Sequence, residues 1–583
     1  GLEYEIALPS KNDIRGYWIL DGSVDTLKIS GENSNSVKAK MVSDTLDIEI
    51  EGFDYNHPSI SFYYTNVDNS IQRFSGNVFE GKIYGHNTSI SGINDIKIYN
   101  LSSKYKGKDE VENEVIVNKK IEVFYPEGAY GFLDMPVSQD SVVLIQNATV
   151  WTSSKQGILN DCDVLIKDGV FSKISKDIRP PKNAILINGN GKHITAGIID
   201  CHSHTALSAV NEGSQAITSE VRIKDVINPY DIAIYRELAG GLTTANLLHG
   251  SANPIGGQNA VIKLKWGNSA SAMIFPDAKE GIKFALGENV KQSNWGDDYT
   301  DRYPQTRMGV DQIMRDAFNA ALDYEKSLKN YNRSNKNKTI PIRRDLELDA
   351  LLEIINGDRL IHCHSYRQDE ILNLIRIADD YGFTIGTFQH VLEGYKVAEA
   401  IEEHGAGAST FSDWWAYKFE VYDAIPYNGD IMHQVGVNVS FNSDSNELAR
   451  RMNLEAAKAM RYGDLSESEA IKLVTINPAK QLHIDDRVGS IEVGKDADFV
   501  IWNGNPLSSY TICEQTWIEG IQYFDLVKDL EYRKRDNELR SKLIKKALKS
   551  SDEIDKNSGN NKNHPKFKSH SCGLELEDER VNR

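Results

Sequence analysis

The stretch "ITAGIIDCHSHTAL", Ile194 to Leu207, sets two histidines one residue apart directly after an apolar run. In a β-strand alternate side chains point to one face, so His202 and His204 project together while Cys201 and Ser203 turn away. Two imidazoles side by side at a strand end make half of a site for a divalent metal. A hydrogen-bonded polar pair at the mouth of a sheet would show the same pattern. The surrounding chain has to decide between them.

From Ile194 to Leu482, β-like apolar runs alternate with helical segments, the mark of an α/β fold with parallel strands. Candidate strands are Gly197–Asp200, Leu242–Leu248, Asn259–Lys265, Gly281–Leu286, Arg359–His364, Thr384–His390, Ala406–Phe411 and Val435–Phe441. Candidate helices are Asp231–Ala239, Val310–Leu328, Asp345–Ile355, Asp369–Asp380, Tyr395–His404 and Asn453–Tyr462. That count fits a (β/α)₈ TIM barrel over residues 196–482. One unit is irregular: "HGSANPIGGQ", between the second and third strands, is too short to hold a helix.

The flanks read differently. Residues 1–124 carry short alternating runs such as "DTLKI", "TLDIEIEG" and "SISFYYTN" between Asn, Gly, Asp and Ser clusters, an all-β N-terminal domain. "YPEGAYGFLDMP" marks a linker over 125–140. Strand-and-turn patterns recur at 141–195 and again at 483–528, around "VGSIEVGKDADFVIWNGNPL". Residues 529–583 begin as a charged helix and end in a polar stretch expected to be disordered.

With 583 residues, 40% hydrophobic and 26% charged, the chain is an ordinary globular protein of several domains. Its net charge of -18 argues against a nucleic-acid partner, because a polyanion would meet an opposing field. No apolar run is long enough for a membrane span, and no signal-peptide core lies near Gly1. The chain opens as strand, so a processed start stays open, and with it the choice between cytoplasm and periplasm or exterior. Five scattered cysteines suggest neither a disulfide framework nor a cysteine-rich zinc site.

In a barrel of this kind, chemistry gathers at the C-terminal strand ends. Those ends carry His202 and His204, then His362 and His364 in "LIHCHSY", His390 in "TFQH" and Asp444 in "VSFNSD". Of 14 histidines in the chain, these five fall at predicted strand ends, a distribution that core packing does not produce. The metal reading prevails.

At this point "GIIDCHSH", "GLTTANLLHGSANPIGGQ", "GIKFALGEN", "HVLEGYKVA", "INPAK" and "DDRVGSIEVGKDADFVIW" together resemble the amidohydrolase superfamily, nearest its imidazolonepropionase-related branch. The resemblance runs from about Val142 to Phe524, and "YPEGAYGF" is similar to a join in multidomain bacterial members. It implies a metal-dependent TIM-barrel hydrolase whose two flanking β segments join into one small composite β-sandwich. It also implies His202, His204, His364, His390 and Asp444 as metal ligands, with His362 buried behind them. His249 has no counterpart, and His193, His404 and His433 read as peripheral. A bridging ligand for a second metal would be Lys283 of the fourth strand, as a carbamate, or Glu288 just past it. Lys283 could equally be a solvated lysine.

The implied cofactor is one or two divalent ions, with zinc the expected metal. Such an ion lowers the pKa of bound water toward ~7 and polarises a carbonyl. Asp444 then reads as proton acceptor and donor, and His390 as ligand or oxyanion stabiliser. Gln258, in a loop that is either a substrate contact or a plain tight turn, and Arg307, either a carboxylate anchor or a structural ion pair, are the substrate-binding candidates. The expected function is hydrolysis of a C–N bond in an amide, peptide or cyclic amide, on a small molecule or short peptide. Two alternatives stand: a one-metal deaminase on the same barrel, and a scaffold protein with a retired barrel. Self-association is left open.

Overall fold

The computed structural model of the chain describes residues 13–21, 26–33, 36–42, 47–65, 70–79, 81–89, 94–104, 142–291, 302–334, 340–411, 414 and 416–557. The expected linker at 125–140 and most of the expected disordered tail lie outside them. The chain divides into two compact units, Gly1–Glu122 and Val123–Arg583.

Among its described residues the first unit is all-β, as its alternating runs require. Eight antiparallel strands close into a barrel in simple chain order, the first (Gly16–Leu20) pairing with the last (Asn94–Lys104). In "SISFYYT" Ile60 and Phe62 point inward while Tyr63 faces solvent, the period-two alternation of a half-buried strand. Trp18, Leu27, Ile29, Phe74, Ile83 and Tyr99 complete that core.

The second unit combines a β-sheet with an α/β barrel. Strands from both flanks form a single eight-stranded sheet, because His193–Ala196 pairs antiparallel with Phe499–Trp502. The resemblance implied that the two flanks join into one small composite β-sandwich. Instead one sheet curls over its own core, bringing Phe171 near its edge to within 6.1 Å of Phe499, ring centroid to centroid. "FVIW", Phe499 to Trp502, is buried on both sides: Phe499 and Ile501 enter the sheet's core while Val500 and Trp502 pack onto the barrel. That explains its unbroken apolar run.

The barrel's parallel strands are Ile198–Ser203, Leu242–Leu247, Gly281–Ala285, Leu360–Ser365, Thr387–His390, Gly407–Thr410 and Val439–Phe441. The third position departs from an all-parallel barrel. Ile255–Gln258 runs antiparallel to the fourth strand, and Ala260–Lys263 runs antiparallel to the second. The cause is the short "HGSANPIGGQ" connection, since a parallel crossover needs a dozen or more residues whereas antiparallel neighbours need only a turn. The third strand is reversed.

Helices wrap the outside: Ile232–Leu238, Arg307–Arg333, Leu346–Ile355, Gln368–Tyr381, Ala398–His404, Asn428–Val435 and Met452–Gly463. Asp231, Thr306 and Asp345 cap three of them by accepting backbone N–H groups. Asn428–Val435 was not foreseen, and the eighth strand starts later than its sequence suggested. Gly436, at φ 114, ends that helix in a left-handed cap before Val439–Phe441 begins. The charged C-terminal segment is one helix, Leu526–Asn557.

Candidate metal centre

His202 occupies the first barrel strand, and His204 follows its end. Lys283 lies in the fourth strand, His364 in the fifth and His390 at the last residue of the sixth. Asp444 stands just beyond the eighth. Alternation alone would turn His390 away from its neighbour Gln389, which faces the barrel interior. His390 has φ 65 and Asp444 φ 46, left-handed conformations that swing both side chains inward.

The structure brings these groups together around Asp444. Its Oδ1 lies 3.2 Å from His204 Nε2 and 3.5 Å from His202 Nε2, and its Oδ2 lies 3.9 Å from His390 Nε2. Ligand atoms of His202, His390 and Asp444 all fall within 4.8 Å of one another. Lys283 Nζ reaches His202 Nε2 at 3.0 Å. The His364 ring sits 4.7 Å from that of His390. His204 is anchored from behind, its Nδ1–H donating to the Leu248 carbonyl at 2.9 Å.

Charges here are unusual. Burial, then the Lys283 ammonium, hold His202 well below the ordinary imidazole range. Burial, then His390, do the same for His364, and burial pulls His390 down to about 3. Burial also lowers the Lys283 amine to about 8, against the pull of Asp444. For Asp444 burial opposes ionisation, yet the His204 hydrogen bond and nearby imidazoles keep its carboxyl down at about 2. The result is neutral His202, His364 and His390 beside an ionised carboxylate.

A divalent cation fits this set. His364 Nε2 and both ring nitrogens of His390 are buried without a hydrogen-bond partner. Each such orphan costs about 1–3 kcal/mol unless something accepts its lone pair or proton. Neutral imidazoles with an anionic carboxylate are the donors that zinc-type ions take.

Other expected residues are placed elsewhere. His362 lies one strand step below His364, its ring over Gly281, where a Cβ would come within 2.9 Å of it. His249 spends both nitrogens on the backbone of Glu212 and Gly250, wedged against Gly256 and Gly257. The "SANPIGGQ" loop is thereby built around a histidine, and Gln258 Nε2 donates to the Ser219 carbonyl at 2.9 Å. Arg307 pairs with Glu370 at 2.8 Å and Glu420 at 3.5 Å. Glu288 opens a short helix, its backbone N–H bonded to Glu420.

Sequence reasoning overlooked an aromatic wall beside the centre. The Tyr366 ring lies 4.6 Å from His364 and 5.5 Å from His390, and Phe411 covers His390 at 5.2 Å. Tyr366 Oη meets Tyr417 Oη at 3.0 Å, while Lys418 Nζ sits 4.3 Å from the Tyr366 ring centre. Alternation from His364 to Tyr366 in "HCHSY" carried that signal.

Comparison with known proteins agrees with this architecture. Residues 429–541 match the sequence profile of the Amidohydrolase family. The crystal structure of an amidohydrolase from Thermotoga maritima MSB8 is 32% identical, covering 66% of this chain and 100% of that one with a TM-score of 0.61. The chain belongs to the amidohydrolase family. Among amidohydrolases, tasK of Hapsidospora irregularis is 30% identical over 428 residues, 66% of this chain and 43% of that protein. An imidazolonepropionase from Bacteroides thetaiotaomicron is 42% identical over 84 residues, 14% of this chain and 20% of the enzyme. The chain thus spans less than half the length of these curated relatives. Likeness to the Thermotoga maritima amidohydrolase structure implies a TIM barrel within the second unit, and the described strands of the first unit form a separate antiparallel barrel.

Proposed function

We propose that this chain is a metal-dependent hydrolase that cleaves a C–N bond in an amide, peptide or cyclic amide. The observation that carries the reading is the set of buried, unpartnered histidine nitrogens gathered about the Asp444 carboxylate. A divalent ion, with zinc the expected one, would be held by His202, His204, His364, His390 and Asp444, supplying Lewis acidity toward water and the substrate carbonyl. One ion or two is decided by Lys283, which would join the ligands as a carbamate.

The chain's own groups perform the rest. Asp444 is ionised and hydrogen-bonded to His204, so it can take a proton from an attacking water and return it to the departing amine. Carbamate formation at Lys283 needs the neutral amine, and its lowered pKa of about 8 supplies more of that form at neutral pH. Tyr366, Tyr417 and Phe411 shield one side of the centre and limit access of bulk water. Gln258 and Arg307 are kept as substrate-binding candidates only if their present partners are exchanged on binding.

The partner is then a small molecule or short peptide. Among the described residues, no helix is long and apolar enough to cross a membrane. The test is elemental analysis of protein purified without chelator, followed by assay on amide, dipeptide and cyclic-amide panels. Bound divalent metal with activity abolished by chelation is expected. Protein that stays metal-free after supplementation would overturn the reading.

A further inference from the structure

Gln389, immediately ahead of His390, is fully buried, and ligand chemistry gives it no role. Its Oε1 lies 3.3 Å from His202 Nδ1, and its Nε2 donates to Cys201 Sγ at 3.6 Å. Across the same imidazole, Nε2 faces Lys283 Nζ at 3.0 Å. A neutral imidazole has one N–H and one lone pair. With its Nε2 donating to Cys201, the Gln389 amide turns Oε1 to the ring, which places the proton on Nδ1 and the lone pair on Nε2. That proton needs an acceptor, and the Gln389 carbonyl oxygen supplies it.

We propose that Gln389 is a positioning residue for the metal centre, fixing His202 in the tautomer and orientation that turn its Nε2 lone pair inward. Cys201 fixes the amide in turn, since its sulfur accepts from Nε2 and leaves Oε1 toward the ring. The pattern has an internal parallel. His204, the other member of the His-x-His pair, likewise gives its Nδ1–H to an oxygen behind the ring, the Leu248 carbonyl. His202 lies deeper and is served by a side chain from the sixth strand. Groups behind a ligand that set its tautomer typically change metal affinity by about 10- to 100-fold when removed.

The assignment rests on reading the cluster as a metal centre. Its test is zinc affinity by competition with a chromophoric chelator, with the cobalt(II) absorption spectrum as a second readout. Gln389→Met keeps the length and removes the acceptor, so binding about 10- to 100-fold weaker and an altered cobalt spectrum are expected. Gln389→Glu keeps an acceptor and should bind close to wild type. A Met variant within about twofold of wild type, or a Glu variant as weak as Met, overturns the assignment. Wild-type protein that binds neither ion overturns the metal reading itself, and the assignment with it. Should the Met variant not fold, nitrogen-15 shifts of histidine-labelled wild type decide: an Nε2–H at His202 in metal-free protein overturns the proposal.

Discussion

Asp444 and His202 are joined twice: the Asp444 backbone N–H donates to the His202 carbonyl at 3.1 Å, and Asp444 Oδ1 lies 3.5 Å from His202 Nε2. One residue back, Ser443 donates through its backbone N–H and its hydroxyl to Asp200, whose carboxylate also accepts from the His202 backbone. The eighth strand end is thus clipped onto the first. The carboxylate is placed by main chain, not by its own side-chain contacts alone.

That placement lets Asp444→Asn test the carboxylate's chemistry, as ligand and proton acceptor, apart from its place in the backbone. Asparagine tolerates φ 46 and keeps the shape, but it cannot accept the proton. A fall in kcat of at least ~10²-fold is expected, with the melting temperature nearly unchanged. Rate and Tm are measured on one preparation. Unchanged kcat with lowered stability would show that Asp444 only holds the two strands together.

Stability of the metal-free protein should fall with acid. His202, His364 and His390 are all held below the ordinary imidazole pKa of about 6.5, His390 at about 3. A group whose folded pKa is depressed contributes stability that is present above its unfolded pKa and lost as pH falls toward the folded one. The loss should therefore begin near pH ~6.5 and continue toward ~3. Melting curves across that range check it, and His390→Asn should flatten the slope.

Lys283→Gln should reduce the bound metal, because the amide cannot react with carbon dioxide to become a ligand. Elemental analysis before and after incubation with bicarbonate separates the roles. Wild type should gain metal on that treatment and the variant should not. Equal metal in both would assign Lys283 to charge balance alone.

A fourth test lies away from the centre. Lys263 is fully buried, with Nζ 2.7 Å from Asp496, 3.0 Å from Asp498 and 3.1 Å from Glu519, tying a barrel strand to the curled sheet. Lys263→Met leaves buried Asp498 without its cation, while Asp496 keeps Arg487 at 2.7 Å and Glu519 keeps Lys265 at 2.8 Å. A loss of about 3–5 kcal/mol is expected, as for other broken buried ion pairs. Urea denaturation measures it, and a loss under about 1 kcal/mol would mean water replaces the ammonium.

How far the sequence could be read followed from where local rules govern. Parallel strands and their helices were legible because apolar runs and caps are local, and His202 with His364 follow from strand alternation. The reversed third strand was signalled by a short connection whose consequence went undrawn. Helix Asn428–Val435 was hidden because "VGVNVSF" reads as strand from Val435 until Gly436 is given its left-handed φ. Gln389 was invisible for a related reason: at His390 the backbone leaves the extended region, so two consecutive residues serve one centre. The pairing of Lys263 with Asp496, Asp498 and Glu519 spans more than two hundred residues and leaves no local trace.

The left-handed backbone at His390 and Asp444 bears on how such a barrel can change over generations. Asparagine is among the few residues at ease in that conformation. Both histidine and aspartate codons become asparagine codons by a single nucleotide change. Each step would leave the main chain where it is while removing a donor or a base. A folded barrel without catalysis therefore lies two point mutations from this sequence, along a path on which neither intermediate has to misfold.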